Sequence, residues 1–336
     1  MIMSSKNVDV EAIVYRPEQA GALAVDFVDD LRQHKDQGIK TDIVDLDSVL
    51  VPLRPGWLVT VLGYTSNMKS TWMDWLGLQA LKTIKPTGDE CVIKVTWEQS
   101  VEEDTLAWMA SNSGLSLTRL ARGLVDDSEW VVLKGASVRR ATTPLWVIGH
   151  SQMEYQKSRT ARPRMTMHDV RRAIEYIIHD STPGVTLSPR MVVLDYLQRM
   201  RGDMKDGSSL REQMMENVNL SKDLAVSYGC PVVLGVQAGR EAEDKMPTLR
   251  DGQETSNIEQ SSDVSFGCWY PIKTQAPNTM VEGFKCTKNL FFLRLLKQKL
   301  GESSKTFPLF VDPERRTFKS MKKDDQPSAQ SPRGAR

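Results

Sequence analysis

Cysteine is scarce in this 336-residue chain: Cys91, Cys230, Cys268 and Cys286 lie far apart and form no CxxC pair. That excludes a disulfide scaffold and a cysteine-based zinc site, leaving buried free thiols in a reducing compartment. Histidine is equally sparse, and His34, His150, His168 and His179 show no metal-ligand spacing. Neither sign of charge dominates, since 44 Lys and Arg face 43 Asp and Glu for a formal net charge of +1. A histone-like polycation is thereby excluded. A local basic channel is not, because steering depends on where charge sits. No apolar run approaches the roughly 18 residues that a membrane-spanning helix needs. The amino-terminal MIMSSKNVDVEAIVYRPEQ lacks the apolar core of a signal peptide. A soluble, cytoplasmic protein with no membrane contact is expected.

What is present suits a packed core, with 40% hydrophobic and 26% charged residues, in one large domain or two modest ones. Residues 1–16 read as a loose arm. From Pro17, the residues Ala20, Leu23, Ala24, Phe27, Val28 and Leu31 recur at helical spacing, and Gly38 stops the helix. Its apolar face must lie on something, either a neighbouring subunit or its own domain. Trp57–Leu62, Cys91–Thr96, Met191–Leu194 and Pro231–Val236 have strand character. Helical segments begin at Ser70 and span Leu210–Tyr228. Alternation of this kind implies an α/β fold with a mostly parallel sheet covered on both faces. Phe291–Leu296 and Thr306–Val311 suggest antiparallel hairpins at one edge. After Phe318, KSMKKDDQPSAQSPRGAR reads as a disordered tail, 319–336.

Between the first strand and its helix stands Gly63-Tyr64-Thr65-Ser66-Asn67-Met68-Lys69-Ser70-Thr71. The phosphate-cradling Walker A pattern is G-x-x-x-x-G-K-[ST]. Its backbone N–H groups and helix N-terminus wrap a phosphate, its Lys neutralises charge, and its Ser or Thr hydroxyl binds Mg2+. Gly63, Lys69 and Ser70 match, but Met68 replaces the second glycine, at a steric penalty if that position needs φ > 0. Taken alone, the segment also reads as a polar βα turn with an incidental Lys-Ser.

Three other strand ends bear on the choice. MVVLDYLQRM puts Asp195 directly after an apolar strand, the position of a Walker B carboxylate that holds Mg2+. CVIKVTWEQS puts Glu98 where a general base would orient attacking water. PVVLGVQAGRE ends in Gln237, a neutral group able to sense a γ-phosphate. All are at carboxyl ends of expected parallel strands, where ligands bind in open α/β sheets.

Together these residues resemble the RecA-like motor domain of DnaB-type replicative hexameric helicases. GIKTDIVDLDSVLVPLRPGWLVTVLGYTSNMKST is similar to that family's linker-to-Walker A stretch, VTWEQS to its catalytic-Glu strand, and VVLDYLQRM to its Walker B strand continuing Asp-Tyr-Leu-Gln. SKDLAVSYGCPVVLGVQAGRE, TLRDGQETSNIEQSSDV and LKQKLGESSKTFPLFVDPERRTF resemble, in order, its sensor region, its Asp-Leu-Arg-Glu-Ser-Gly segment, and its Lys-x-Arg-x-Gly finger with the last hairpin. The resemblance covers 38–318 and implies a RecA-like P-loop NTPase fold. Residues 1–37 then become an arm and a linker helix docking on the next subunit.

It also implies roles. ATP and Mg2+ would be bound at Gly63, Thr65, Ser66, Asn67, Met68, Lys69, Ser70 and Thr71, with Ser70 and Asp195 on the metal. Glu98 would activate water, and Gln237 with Arg240 would report the γ-phosphate. Lys297 and Lys299 would reach the adjacent subunit's ATP. Single-stranded DNA would meet Arg199, Arg201, Lys245, Arg250, Gln253 and Glu254 in a homohexamer, with a primase, polymerase or loader as further partner. Three departures stand out besides Met68. Lys299 replaces Arg and loses the bidentate fork. Gln253 replaces Arg in a DNA-tracking loop, and Ser256 replaces Gly. Arg199, Arg201, Lys205 and Arg211, with Lys245 and Arg250, are candidates to compensate. The family's N-terminal primase-interacting domain is expected to be missing, since about 37 residues cannot form it. An alternative follows from the departures: a nucleotide-dependent assembly protein that hydrolyses ATP weakly or not at all.

Overall fold

The computed structural model describes residues 14–33, 38–158, 165–195, 209–239, 245–251 and 255–322. The chain falls into two compact units, 1–38 and 39–336. The first holds helix α1 (Pro17–Gln33), none of whose residues is buried. In the second unit the helices are α2 (Val44–Asp47), α3 (Lys69–Lys82), α4 (Val101–Ser113), α5 (Leu117–Ala121), α6 (Asp127–Thr142), α7 (Gln152–Ser158), α8 (Met167–His179), α9 (Leu210–Tyr228) and α10 (Thr255–Ser261). The strands are β1 (Leu58–Gly63), β2 (Glu90–Thr96), β3 (Leu145–Ile148), β4 (Ser188–Asp195), β5 (Val232–Gln237), β6 (Val264–Trp269), β7 (Met280–Val281), β8 (Phe284–Lys285), β9 (Leu290–Gln298), β10 (Lys305–Asp312) and β11 (Thr317–Ser320). Among the described residues, no helix is long and apolar enough to cross a membrane.

A nine-stranded sheet runs in the order β11-β10-β9-β6-β1-β5-β4-β2-β3. Strands β1 to β6 are mutually parallel, while β9, β10 and β11 add antiparallel pairings at one edge. β1 is flanked by β5 and β6, so all six of its residues are buried. Burial on both faces explains its unbroken apolar run. Odd and even positions feed two cores. Val59 and Val61 meet Trp72 and Leu76 of α3 on one face, and Leu58 and Leu62 join Ile174 of α8 and Leu224 of α9 on the other. Helix starts are set by local chemistry. Ser100, Asp126, Thr166 and Ser209 each cap a helix reciprocally with the acidic residue three positions on.

The expected strands and the helix at 210–228 form within a few residues of the sequence pattern. Helices α4 to α8 and strands β3, β6 and β11 are not anticipated by it. One boundary is corrected: the folded domain continues past 318, because β11 runs to Ser320 and its Phe318 packs edge-on against Trp72 at 5.3 Å between ring centroids. All four cysteines are buried and free.

Candidate nucleotide site

The loop between β1 and α3 is set by close packing at its start and by backbone conformation at its end. A Cβ on Gly63 would lie 3.0 Å from the Cys268 carbonyl oxygen and 3.0 Å from Lys69 Cγ, so a larger residue has no room. At the far end Met68 is left-handed, with φ 59° and ψ 23°, directly before the first turn of α3. The position does require φ > 0, and methionine adopts it, at a cost of about 1–2 kcal/mol for a non-glycine residue. Ser66, at φ 62°, is left-handed too. Neighbouring groups hold the loop in place. Asn67 is buried; its Oδ1 accepts from the Tyr270 backbone N–H at 2.7 Å, and its Nδ2 donates to the Thr65 carbonyl at 3.3 Å. Gln237 Nε2 donates to Thr65 Oγ1 at 2.8 Å. The Met68 side chain rests on the α3-side core.

Lys69 Nζ donates to the Tyr64 carbonyl at 3.0 Å. Burial lowers its pKa from the ordinary lysine value, while Cys268, Asp195 and Glu98 act in the opposite sense. Asp195 ends β4 at 4% exposure, beside the Ser70 side chain. Burial raises its pKa, opposed by Lys94, by the Ser70 hydroxyl and by Lys69. Its Oδ1 is buried without a hydrogen-bond partner. An orphaned carboxylate oxygen beside a serine hydroxyl suits a hard cation such as Mg2+, which takes few protein ligands and completes its shell with water and phosphate. Consistent with so spare a donor set, no group of three or more His, Cys, Asp or Glu that could hold a metal occurs among the described residues. Glu98 is exposed in the turn from β2 to the Ser100 cap of α4. The Trp97 N–H donates to the Asp195 carbonyl at 3.1 Å, which ties the β2 and β4 ends together.

Thus the loop residues Gly63 to Thr71, with Glu98, Asp195 and Gln237, gather at the carboxyl ends of neighbouring parallel strands inside the sheet. Lys297 and Lys299 do not join them. Lys297 pairs with Ser265, which itself pairs with Thr60, and the Lys299 N–H meets the Asp263 carbonyl beside Leu58. Along the strand axis Lys297 is level with Thr60, about 10 Å from Gly63, and Lys299 stands at the opposite end of β1, about 16 Å away. Lys297 Nζ is held by the carbonyls of Glu259 and Ser262, whereas Lys299 is 62% exposed, 3.5 Å from Asp263 Oδ1. Lys245 and Arg250 are exposed beyond β5. Arg199, Arg201, Lys205, Arg240, Gln253 and Glu254 lie outside the described residues, and the Ser256 side chain is likewise not described.

A buried charge cluster beneath the site was missed by sequence reasoning. Lys94 of β2 is paired with Asp74 of α3 and Asp104 of α4, and Asp74 also accepts from Arg316. Burial opposes the charge on Lys94, but the two aspartates outweigh it and raise its pKa. Asp74, served by two cations despite its burial, is lowered; Asp104, with only a share of Lys94, is raised by burial. The visible signal was a lysine in the middle of an otherwise apolar strand, CVIKVT.

A glycine-started phosphate loop between the first strand and helix of a mostly parallel sheet, with polar residues at three neighbouring strand ends, defines a RecA-like P-loop NTPase core. In three dimensions it superposes on a solved ATPase domain with a TM-score of 0.69 at 16% identity, covering 90% of this chain and 98% of that one. A DnaB-like replicative helicase, solved in a study of its interactions with primase, gives a TM-score of 0.68 at 16% identity, covering 90% of this chain and 66% of that one. The family model described as DnaB-like helicase C terminal domain matches residues 38–271, and the chain belongs to that family. In sequence it is 26% identical over 253 residues to the replicative DNA helicase DnaB of Leifsonia xyli subsp. xyli, covering 73% of this chain and 50% of that protein. Against the replicative DNA helicase DnaB of Helicobacter pylori it is 24% identical over 287 residues, covering 84% and 52%. The chain spans about half the length of these curated relatives.

Proposed function

We propose that this chain is the ATP-driven motor of a DnaB-like DNA helicase, translocating on single-stranded DNA as a homohexameric ring. The observation that carries the reading is the placement of Ser70 beside Asp195, whose buried Oδ1 is left unpartnered at the mouth of a loop that also carries Lys69. Ser70 and Asp195 would hold Mg2+, which when bound neutralises phosphate charge. Lys69 supplies a fixed cation for the β- and γ-phosphates, and the loop N–H groups orient them. Glu98 is the general base for water. Gln237, already bonded to Thr65 of the loop, couples the phosphate site to the segment after β5, where Arg240 follows and Lys245, Arg250, Gln253 and Glu254 would track DNA with Arg199 and Arg201 after β4. The placement of Lys299 away from its own loop supports action on the nucleotide of an adjacent copy, and the uncovered apolar positions of α1 suit docking on a neighbouring subunit. A primase, polymerase or loader is the expected further partner.

The test is a turnover assay with and without oligo-dT. Stimulation by the strand, abolished by Lys69→Ala and by Glu98→Gln, is expected, as is a ring with a filled centre by electron microscopy with a non-hydrolysable ATP analogue. Tight calorimetric binding of ATP with no turnover on any polynucleotide overturns the motor in favour of a nucleotide-dependent scaffold.

A further inference from the structure

Met68, like Ser66 two residues earlier, holds a left-handed backbone, and it stands at the very start of α3 with no side-chain cap on that helix. Such conformations persist in non-glycine residues only when surrounding contacts over-determine them. The contacts are visible one residue earlier. Asn67 is 3% exposed and makes bonds in three directions: its N–H donates to the Tyr64 carbonyl at 3.3 Å, its Nδ2 to the Thr65 carbonyl at 3.3 Å, and its Oδ1 accepts from the Tyr270 N–H at 2.7 Å. The last of these reaches across 203 positions in sequence to the end of β6. Tyr270 is itself anchored, its hydroxyl donating to the Lys288 carbonyl at 2.6 Å. Asn67 therefore links the loop to a fixed point outside it.

We infer that Asn67 is a positioning residue that takes over the work of the missing glycine. Its clamp on Tyr270 holds Met68 in the left-handed conformation that lets the following N–H groups face a phosphate. A glycine at 68 would reach that conformation without help, so the demand for Asn67 exists because residue 68 is methionine. The inference rests on the proposed nucleotide site for its functional consequence, but the clamp itself is a property of the loop and its contacts.

Four full-length proteins test it: the parent chain, Asn67→Ala, Met68→Gly and the double variant. Two readouts are taken, amide hydrogen exchange over residues 64–70 without nucleotide, and the affinity for Mg-ADP. Loss of the buried acceptor leaves the Tyr270 N–H unpaired, so Asn67→Ala should speed loop exchange and weaken ADP binding by about tenfold. In the Met68→Gly background the same change should cost less than about threefold. Equal losses in both backgrounds mean that Asn67 and Met68 act independently and overturn the inference. Should Asn67→Ala fail to fold, the double variant decides: its folding is rescue by glycine and supports the inference, and its failure overturns it. A parent chain that binds no nucleotide removes the proposed function, while the exchange comparison still decides the clamp.

Discussion

At Gly63 the obstacle to a side chain is the Cys268 carbonyl, a backbone atom that cannot swing away. Gly63→Ala should therefore act as overpacking, costing about 1–3 kcal/mol, read as a lowered denaturation midpoint together with weaker nucleotide binding. Met68→Gly is a different case, because two effects oppose. Relief of left-handed strain gains about 1 kcal/mol, while a glycine loses more chain entropy on folding and the Met68 side chain no longer packs on the core. Stability should stay within about 1 kcal/mol of the parent, measured by urea denaturation. Lys94 offers the sharpest residue-scale contrast. Removing it leaves Asp74 with Arg316 as its ion-pair partner and deprives Asp104 of its direct partner, with only the longer-range fields of Arg316 and Arg140 remaining. Lys94→Met should cost about 3–5 kcal/mol, the penalty of an uncompensated buried charge, and Asp104→Asn in the Lys94→Met background should recover part of it.

Among the elements, legibility in sequence tracked how each one meets the core. β1 and β5 were readable because both faces are buried and the apolar run is continuous, and α9 because it is a long uninterrupted helical stretch, whose ends the structure caps with Ser209 and Gly229. α6 was not, since it buries only Ala136 and exposes Trp130, Val131 and Val138; its apolar residues mark no inner face. β3 is an edge strand of four half-buried residues. β11 gave four residues of weak pattern beside a polar tail, and only its packing shows why it is there: Phe318 meets Trp72, Trp75 and Phe291. In the site, the residues that end strands could be read, whereas Asn67 and the Lys94 cluster depend on contacts between distant segments. Helix α7 supports a pH prediction. Glu102 of α4 accepts from the Ser151 hydroxyl and from the Gln152 and Met153 N–H groups at 3.0 and 3.2 Å, which cap α7. The Ser151 bond first, then those backbone bonds, hold its pKa down at about 2. A lowered carboxyl pKa gives stability that is complete above the unfolded value near 4.5 and is lost as pH falls through the folded one. Amide exchange in α7 should therefore rise, beyond the intrinsic pH trend, between about pH 4.5 and 2, and Glu102→Gln should produce the same loosening at neutral pH.

For the molecule as a whole, the decisive geometric fact is that Lys299 and the phosphate loop occupy opposite ends of the same sheet. One chain holds both halves of the proposed machinery but cannot bring them together, so completion by a neighbour is a matter of reach. Lys297 spends its donors on the carbonyls of Glu259 and Ser262 within its own chain, and it is Lys299 that extends into solvent. This leads to a complementation test that a cis role for Lys299 would fail. Glu98→Gln retains the finger and lacks the base; Lys299→Ala retains the base and lacks the finger. Each alone should be nearly inactive, with loss of a trans cation costing on the order of 10³-fold in turnover. When equal amounts are dissociated and reassembled, roughly a quarter of the interfaces join an intact base to an intact finger in a cyclic ring. DNA-stimulated turnover should then recover well above either parent and approach that fraction of the unmodified protein. A mixture no more active than the average of its two parents overturns the trans role of Lys299, even if rings are seen.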